Sequence, residues 1–197
     1  QGPIHFKWRD WDAADIKHMQ AYAEKRSEEW LSELDWTEEQ AVGSYTAGSS
    51  KVNGCLRDGY DCDLVQKDID ELTLAIDVSS VQEDTVVYRG LRAAHVPVKP
   101  GDSFRDKSFT STSLNPGIAH EFSNVHADGV VCRITVPKGT RAGYVQNQSN
   151  YDDEVELLIQ RGTAYKFNGV STILDGDGNE VEVFDLEVVS QLDVTEY

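Results

Sequence analysis

The chain has no apolar run approaching the roughly 20 residues that a bilayer-spanning helix requires. It also has no stretch with the basic, apolar and small-residue order of a secretory signal peptide. Basic residues are scarce: 18 Lys and Arg stand against 35 Asp and Glu, a formal net charge of −17. That balance disfavours nucleic acid as the main partner and suits a basic protein surface or a small ligand. Cysteine is limited to three residues, and no CxxC or HxxxH spacing occurs among them or among the five histidines, so no metal site is expected. Cys55 and Cys62 lie close enough in sequence to pair, a question the sequence leaves open, and Cys132 sits in an apolar strand pattern; reduced, structural cysteine is the plain reading. Internal repeats and low-complexity linkers are absent. Gln1-Gly2-Pro3 reads as the remnant of a cleavable tag, which implies that the natural start is missing. At 39% hydrophobic, residues 4–197 are enough for a single domain with a substantial core.

The grammar of the chain changes near its middle. Residues 4–80 are mainly helical in pattern. Trp8 to Trp30 carries Trp11, Ile16, Met19 and Ala23 among charged residues, Thr37-Glu38-Glu39-Gln40 has the spacing of a capping box, and residues 49–57 predict a short helix. From Asp61 to Ser79, Val65, Ile69, Leu72 and Ile76 recur at helical spacing. Residues 84–190 are strand-rich: Thr85–Leu91, Gly129–Val136, Glu154–Gln160 and Val181–Val189, with shorter strands over Phe104–Thr112 and Thr163–Thr172. Within them Asn115-Pro116-Gly117 predicts an N-cap and a first-turn proline that open one helix. A helical block followed by a strand block is the order of an α+β fold.

The most informative stretch is Tyr151-Asp152-Asp153-Glu154-Val155-Glu156-Leu157-Leu158-Ile159. On an extended strand Glu154 and Glu156 share one face while Val155, Leu157 and Ile159 share the other. The apolar side enters a core and the two acids face a cleft. Such a like-charged pair is costly unless a cation lies between them or one acid is protonated. Two other elements precede it in order: Val86-Val87-Tyr88-Arg89-Gly90, with an arginine on a strand, and the hydroxyl-rich Phe109-Thr110-Ser111-Thr112-Ser113.

These three elements together resemble the arginine–serine–glutamate class of mono-ADP-ribosyltransferases, most closely the enzymatic components of clostridial binary toxins and their insecticidal relatives. Ser49-Ser50-Lys51-Val52-Asn53-Gly54-Cys55-Leu56-Arg57 resembles the family's Asn-x-x-Leu-Arg helix. The interval from Ser111 to Phe122, the strand exit Thr135-Val136-Pro137-Lys138-Gly139 and the position of Tyr151 match as well, so the likeness covers roughly residues 40–190. Singly, each motif has a plain structural reading: a solvated strand arginine, a strand end, the wet face of a sheet, a core phenylalanine. Their joint order outweighs those readings.

The resemblance implies an α+β core of two packed, mostly antiparallel sheets around an NAD-binding cleft, with the helical block against one side. It implies that NAD is a substrate, that no metal takes part, and that ADP-ribose passes to an arginine side chain of a target protein. Glu156 would hold the nicotinamide ribose and stabilise the oxocarbenium-like transition state, with Ser111 orienting it. Arg89 would clamp the phosphates, Gly90 the nicotinamide amide, and Phe122 would stack on the nicotinamide ring. Asn53 and Arg57 would add ribose and phosphate contacts, and Tyr45 would cover the adenine end. Glu154 would steer the acceptor guanidinium, and Tyr151 would hold the target surface. Actin is the favoured acceptor by this analogy, for a toxin or effector that is secreted or delivered into a target-cell cytosol by an apparatus or a larger parent polypeptide. One departure stands out: where binary-toxin enzymes often carry a second arginine after the first, this chain has Gly90, which leaves Arg57 or Arg92 to share the phosphates. An NAD glycohydrolase and a non-catalytic NAD-binding or interaction module are the competing readings.

Overall fold

The computed structural model describes residues 4–6, 13–97, 99–145 and 154–193, with only the backbone described for 13–15. Trp8, Trp11 and Tyr151 therefore lie outside the described residues. Four helices come first: α1 (Ala13–Leu31), α2 (Trp36–Ala47), α3 (Ser49–Asp58) and α4 (Cys62–Asp77). On α1, Met19, Ala23 and Trp30 are buried, and the Trp30 indole N–H donates to the carbonyl of Ala75 at 2.7 Å, tying α1 to the end of α4. On α4 the predicted stripe of Val65, Ile69, Leu72 and Ile76 is the buried face.

The capping box of α2 lies two residues before the predicted one. Asp35 is the N-cap: its carboxylate accepts from the Glu38 N–H at 2.8 Å, while the Glu38 carboxylate accepts from the Asp35 N–H at 3.1 Å. Thr37 instead points its hydroxyl at Asp35 and at Glu71 of α4, 2.7 and 3.2 Å away. A carboxylate is a stronger acceptor for the free N–H groups of a first turn than a hydroxyl, and it also favours the positive end of the helix dipole.

The cysteine expectation is corrected. Cys55 and Cys62 form a disulfide, with Cα atoms 5.0 Å apart. Gly59 (φ 75°) ends α3 and Asp61 (φ 52°) begins α4, both left-handed. The resulting sharp reversal brings the last turn of one helix against the first turn of the next. Cys132 is free and buried.

Among the described residues the strands are β1 (Thr85–Arg92), β2 (Ser103–Asp106), β3 (Thr110–Ser113), β4 (Gly129–Val136), β5 (Ala142–Tyr144), β6 (Glu156–Ile159), β7 (Thr163–Leu174) and β8 (Glu180–Gln191). They form one ladder in the order β2-β7-β8-β4-β1-β3-β6-β5, antiparallel except for β4 with β8. The expected two sheets are the five-strand and three-strand halves of this ladder, joined by the single register pair Tyr88↔Ser113. The halves face each other across the main core, where Val87, Ile134, Tyr165 and Leu186 from one half meet Leu157, Ile159 and Tyr144 from the other. Leu158, on the opposite face of β6, packs with Phe109 and Val145 into the helical block.

Three strand boundaries depart from the expectation. Residues 104–112 are two strands on opposite sides of the ladder rather than one: β2 lies at its edge beside β7, and β3 between β1 and β6. The break is made by Asp106, whose carboxylate accepts from the Ser108 N–H and hydroxyl at 2.9 and 2.6 Å, an Asx-type turn. The hairpin β7–β8 runs longer than predicted, with irregular register near Ala164 and Gly169. β6 starts at Glu156 rather than Glu154, because Val155 has φ 42° and interrupts the extended backbone. The predicted helix after Asn115 is present as α5 (Pro116–Val125), with the Asn115 side-chain Oδ1 accepting from the Gly117 N–H at 2.8 Å. It covers the outer face of β1 and β4, where Val86, Tyr88 and Val131 meet Ala119.

Candidate active site

The divergence of the two halves near Tyr88 and Ser113 leaves a cavity of about 730 Å³. That volume falls within the range of pockets that take cofactor-sized molecules, roughly 300–1,000 Å³. Arg89, Gly90, Ser111, Glu154 and Glu156 line it, and so do Tyr45, Arg57 and Phe122. Asn53 does not line it. Tyr151 falls outside the described residues.

β3 and β6 put the hydroxyl and the carboxylate together by register. Ser113 pairs with Glu156 and Ser111 with Leu158, so Ser111, Ser113 and Glu156 share one face and Ser111 lies on the diagonal from Glu156. The Ser111 hydroxyl reaches the Glu156 side chain across that diagonal. Behind it runs a chain of polar groups: Tyr45 Oη lies 3.1 Å from Ser111 Oγ, and the Asn53 amide donates to Tyr45 Oη at 3.0 Å. Burial pushes the Tyr45 phenol pKa upward, so it stays protonated and can donate to Ser111, whose own O–H is then directed at Glu156. Asn53 thus takes its place behind Tyr45 and supports the hydroxyl chain.

Arg89 crosses the same junction from β1. Its Nη1 donates to the Ser111 carbonyl at 2.6 Å, which fixes the guanidinium beside the hydroxyl and leaves further donors directed along the cavity. The surroundings of Glu156 push its carboxyl up from the ordinary 4.5 to about 7. Burial is the main cause and the nearby Glu154 charge adds to it, while the Ser111 hydrogen bond and Arg89 pull the other way. The geometry is that of a desolvated carboxylate poised to accept charge compensation from a cationic ligand.

Gly90 has a steric reason as well as a binding one. A Cβ there would lie 2.4 Å from Phe122 Cδ1 and 2.6 Å from Phe122 Cβ, so the α5 aromatic packs directly over the glycine. Phe122 stays partly exposed at the cavity wall and rests on His126, ring centroids 4.6 Å apart.

The cavity also has a basic wall that the sequence hid. Arg105 and Lys107 line it together with Arg57, Arg89 and Arg92. Arg57 pairs with Asp106 at 3.7 Å and Arg92 with Asp128 at 3.0 Å. In a chain of net charge −17, five cations around one cleft mark a place for an anionic ligand such as a diphosphate. Arg105 and Lys107 were missed because Phe104–Thr112 reads as one strand; only the Asx turn at Asp106 brings them to the cavity mouth. Among the described residues no cluster of His, Cys, Asp or Glu could hold a metal ion, and no helix is long and apolar enough to cross a membrane.

The family model of the ADP-ribosyltransferase exoenzymes matches residues 19–190. The chain belongs to that family. It is 30% identical over 162 residues to the NAD(+)--arginine ADP-ribosyltransferase EFV of Enterococcus faecalis, covering 76% of this chain and 32% of the relative. It is 34% identical over 131 residues to secreted exoenzyme S of Pseudomonas aeruginosa, covering 64% of this chain and 27% of that protein. The chain thus spans about a third or less of the length of these curated relatives. Among solved structures it superposes on Plx2a, an ADP-ribosyltransferase toxin from Paenibacillus larvae, with a TM-score of 0.77 at 23% identity, over 95% of this chain and all of the other. The enzymatic component C2-I of the Clostridium botulinum C2 toxin gives a TM-score of 0.75 at 17% identity, over 96% of this chain and 50% of its own. These two likenesses concern the fold.

Proposed function

We propose that this ADP-ribosyltransferase exoenzyme domain transfers ADP-ribose from NAD to an arginine side chain of a protein. The observation that carries the reading is the Ser111–Glu156 contact, set in a cavity with a basic wall and a second carboxylate, Glu154, at its edge. The Enterococcus relative, an NAD(+)--arginine ADP-ribosyltransferase by name, supports the choice of acceptor.

In this reading NAD lies with its diphosphate against Arg89 and the basic wall, and with its nicotinamide near Gly90 and Phe122. As the bond between nicotinamide and ribose C1′ lengthens, the pair of electrons leaves with nicotinamide and positive charge develops on the ribose. Glu156, as a carboxylate next to that ribose, stabilises the charge more in the transition state than in the ground state. The Tyr45–Ser111 chain keeps it aimed. Glu154 pairs with the acceptor guanidinium, holds one of its nitrogens toward C1′ and takes the proton released as the new C–N bond forms.

Glu156→Gln keeps the shape of the side chain and removes its charge, so nicotinamide release from NAD should fall by about 10²-fold or more with KM for NAD changed little. Retention of near-parental release would remove Glu156 from the reaction. The resemblance to binary-toxin components makes actin the first acceptor to try, for an effector delivered into a target-cell cytosol. Incubation of purified actin with labelled NAD should give a modified arginine, and unlabelled actin would direct the search to other proteins.

A further inference from the structure

The geometry points to Ser113, the last hydroxyl of β3, as the positioning residue that sets Glu154 for transfer. The inference rests on the proposed role of Glu154. On an unbroken strand, alternation alone would turn Glu154 and Glu156 to one side. Here Val155 interrupts the strand with φ 42°, a left-handed conformation that is a true outlier for a β-branched residue, and its side chain is buried in the main core. Both carboxylates nevertheless line the cavity, and Glu154 is close enough to raise the pKa of Glu156. Something other than strand geometry must hold the Glu154–Val155 link.

That link is held from the end of β3. The Ser113 hydroxyl donates to the Glu154 carbonyl and accepts from the Asn115 N–H at 2.9 Å. The next residue continues the clamp, with the Leu114 N–H donating to the Val155 carbonyl at 3.2 Å. Ser113 is itself buried and sits at the one register pair that joins the two halves of the ladder. Ser113 lines the cavity as well, but its O–H is committed to the Glu154 carbonyl and its oxygen accepts from the Asn115 N–H, bonds that suit a positioning role. Without it, the Glu154 carbonyl and the Asn115 N–H lose this shared hydrogen bond, and the strained valine loses a contact that holds it left-handed. The backbone then relaxes toward the extended form and Glu154 leaves its place beside Glu156, whose own pairing in β6 is untouched.

The test is the ratio of ADP-ribosylagmatine formed to NAD hydrolysed, measured with NAD and agmatine on Ser113→Ala and on Ser113→Cys, which keeps the volume but donates poorly. Glu154→Gln serves as the reference. The ratio should fall about tenfold or more in both Ser113 variants, in the same direction as in E154Q. A parental ratio in the Ser113 variants, whether or not the absolute rates decline, overturns the inference while E154Q shows a lowered one. A parental ratio in E154Q itself overturns the role of Glu154, and the inference with it.

Discussion

Ser111 and Glu156 are diagonal neighbours across the β3–β6 ladder, and the hydroxyl of one reaches the carboxylate of the other. Burial, the Glu154 charge, the Ser111 hydroxyl and Arg89 all act on Glu156, which makes its titration a probe of the site.

With the carboxyl pKa raised to about 7, Glu156 is largely protonated in mildly acidic solution. Since the proposed role needs the anion, kcat/KM for NAD should rise with pH through an acid limb near 7. Glu154→Gln removes a like charge and should move that limb to lower pH. Ser111→Ala removes a hydrogen bond to the anion and should move it higher. The sign for stability is opposite to that for activity. The folded state holds the Glu156 proton more tightly than the unfolded chain, so this group's contribution to stability is lost as pH rises from the ordinary value of 4.5 toward 7. Denaturation midpoints across that window, compared between the parent and Glu156→Gln, test it.

The Cys55–Cys62 disulfide closes a short loop between α3 and α4, seven residues apart in sequence. Loop-closure entropy for a ring of that size predicts a loss of about 2–3 kcal/mol on Cys55→Ser with Cys62→Ser. Chemical denaturation of parent and double variant under oxidising conditions measures it, and the difference should vanish in reductant.

Gly90→Ala places a Cβ where Phe122 already sits. Overpacking of that kind costs about 1–3 kcal/mol, and displacement of the ring should raise KM for NAD. Combining it with Phe122→Ala should recover only part of the penalty, because the ring is gone while the Phe122 Cβ stays 2.6 Å from the new methyl; the two changes are still non-additive in a double-mutant cycle.

Tyr45→Phe deletes the middle of the Asn53–Tyr45–Ser111 chain while leaving the ring packed edge-on against Phe109, 5.7 Å between centroids. Loss of one donor to Ser111 should lower kcat for nicotinamide release by about tenfold, while the lost Asn53 bond should cost about 1 kcal/mol of fold stability. A fall in melting temperature equal to that of Tyr45→Ala would assign Tyr45 a packing role instead.

The α+β order and most of the helices could be read in the sequence because the periodicities of α4, β1 and β4 are strong and their boundaries carry glycine, proline or charge. The cap of α2 is ambiguous in sequence because Asp35-x-x-Glu38 and Thr37-x-x-Gln40 both have capping-box spacing, and only geometry shows which one faces the free N–H groups. Strand alternation puts Glu154 and Glu156 on one face only for an unbroken strand: Val155 carries no sequence mark of a left-handed residue, since a β-branched side chain argues for the opposite. Arg105 and Lys107 were invisible because their place depends on a turn at Asp106 and on a sheet order that brings an edge strand to the mouth of the cleft. Asn53 and Arg57 shared one motif, yet helix geometry sends Arg57 to the cavity and Asn53 to Tyr45.

The most direct test of the central claim is nicotinamide release from NAD with and without agmatine as a free guanidine acceptor. The account predicts that agmatine accelerates release and appears as ADP-ribosylagmatine. Release that agmatine leaves unchanged, with free ADP-ribose as the sole product, would contradict transfer to arginine and leave an NAD hydrolase in its place.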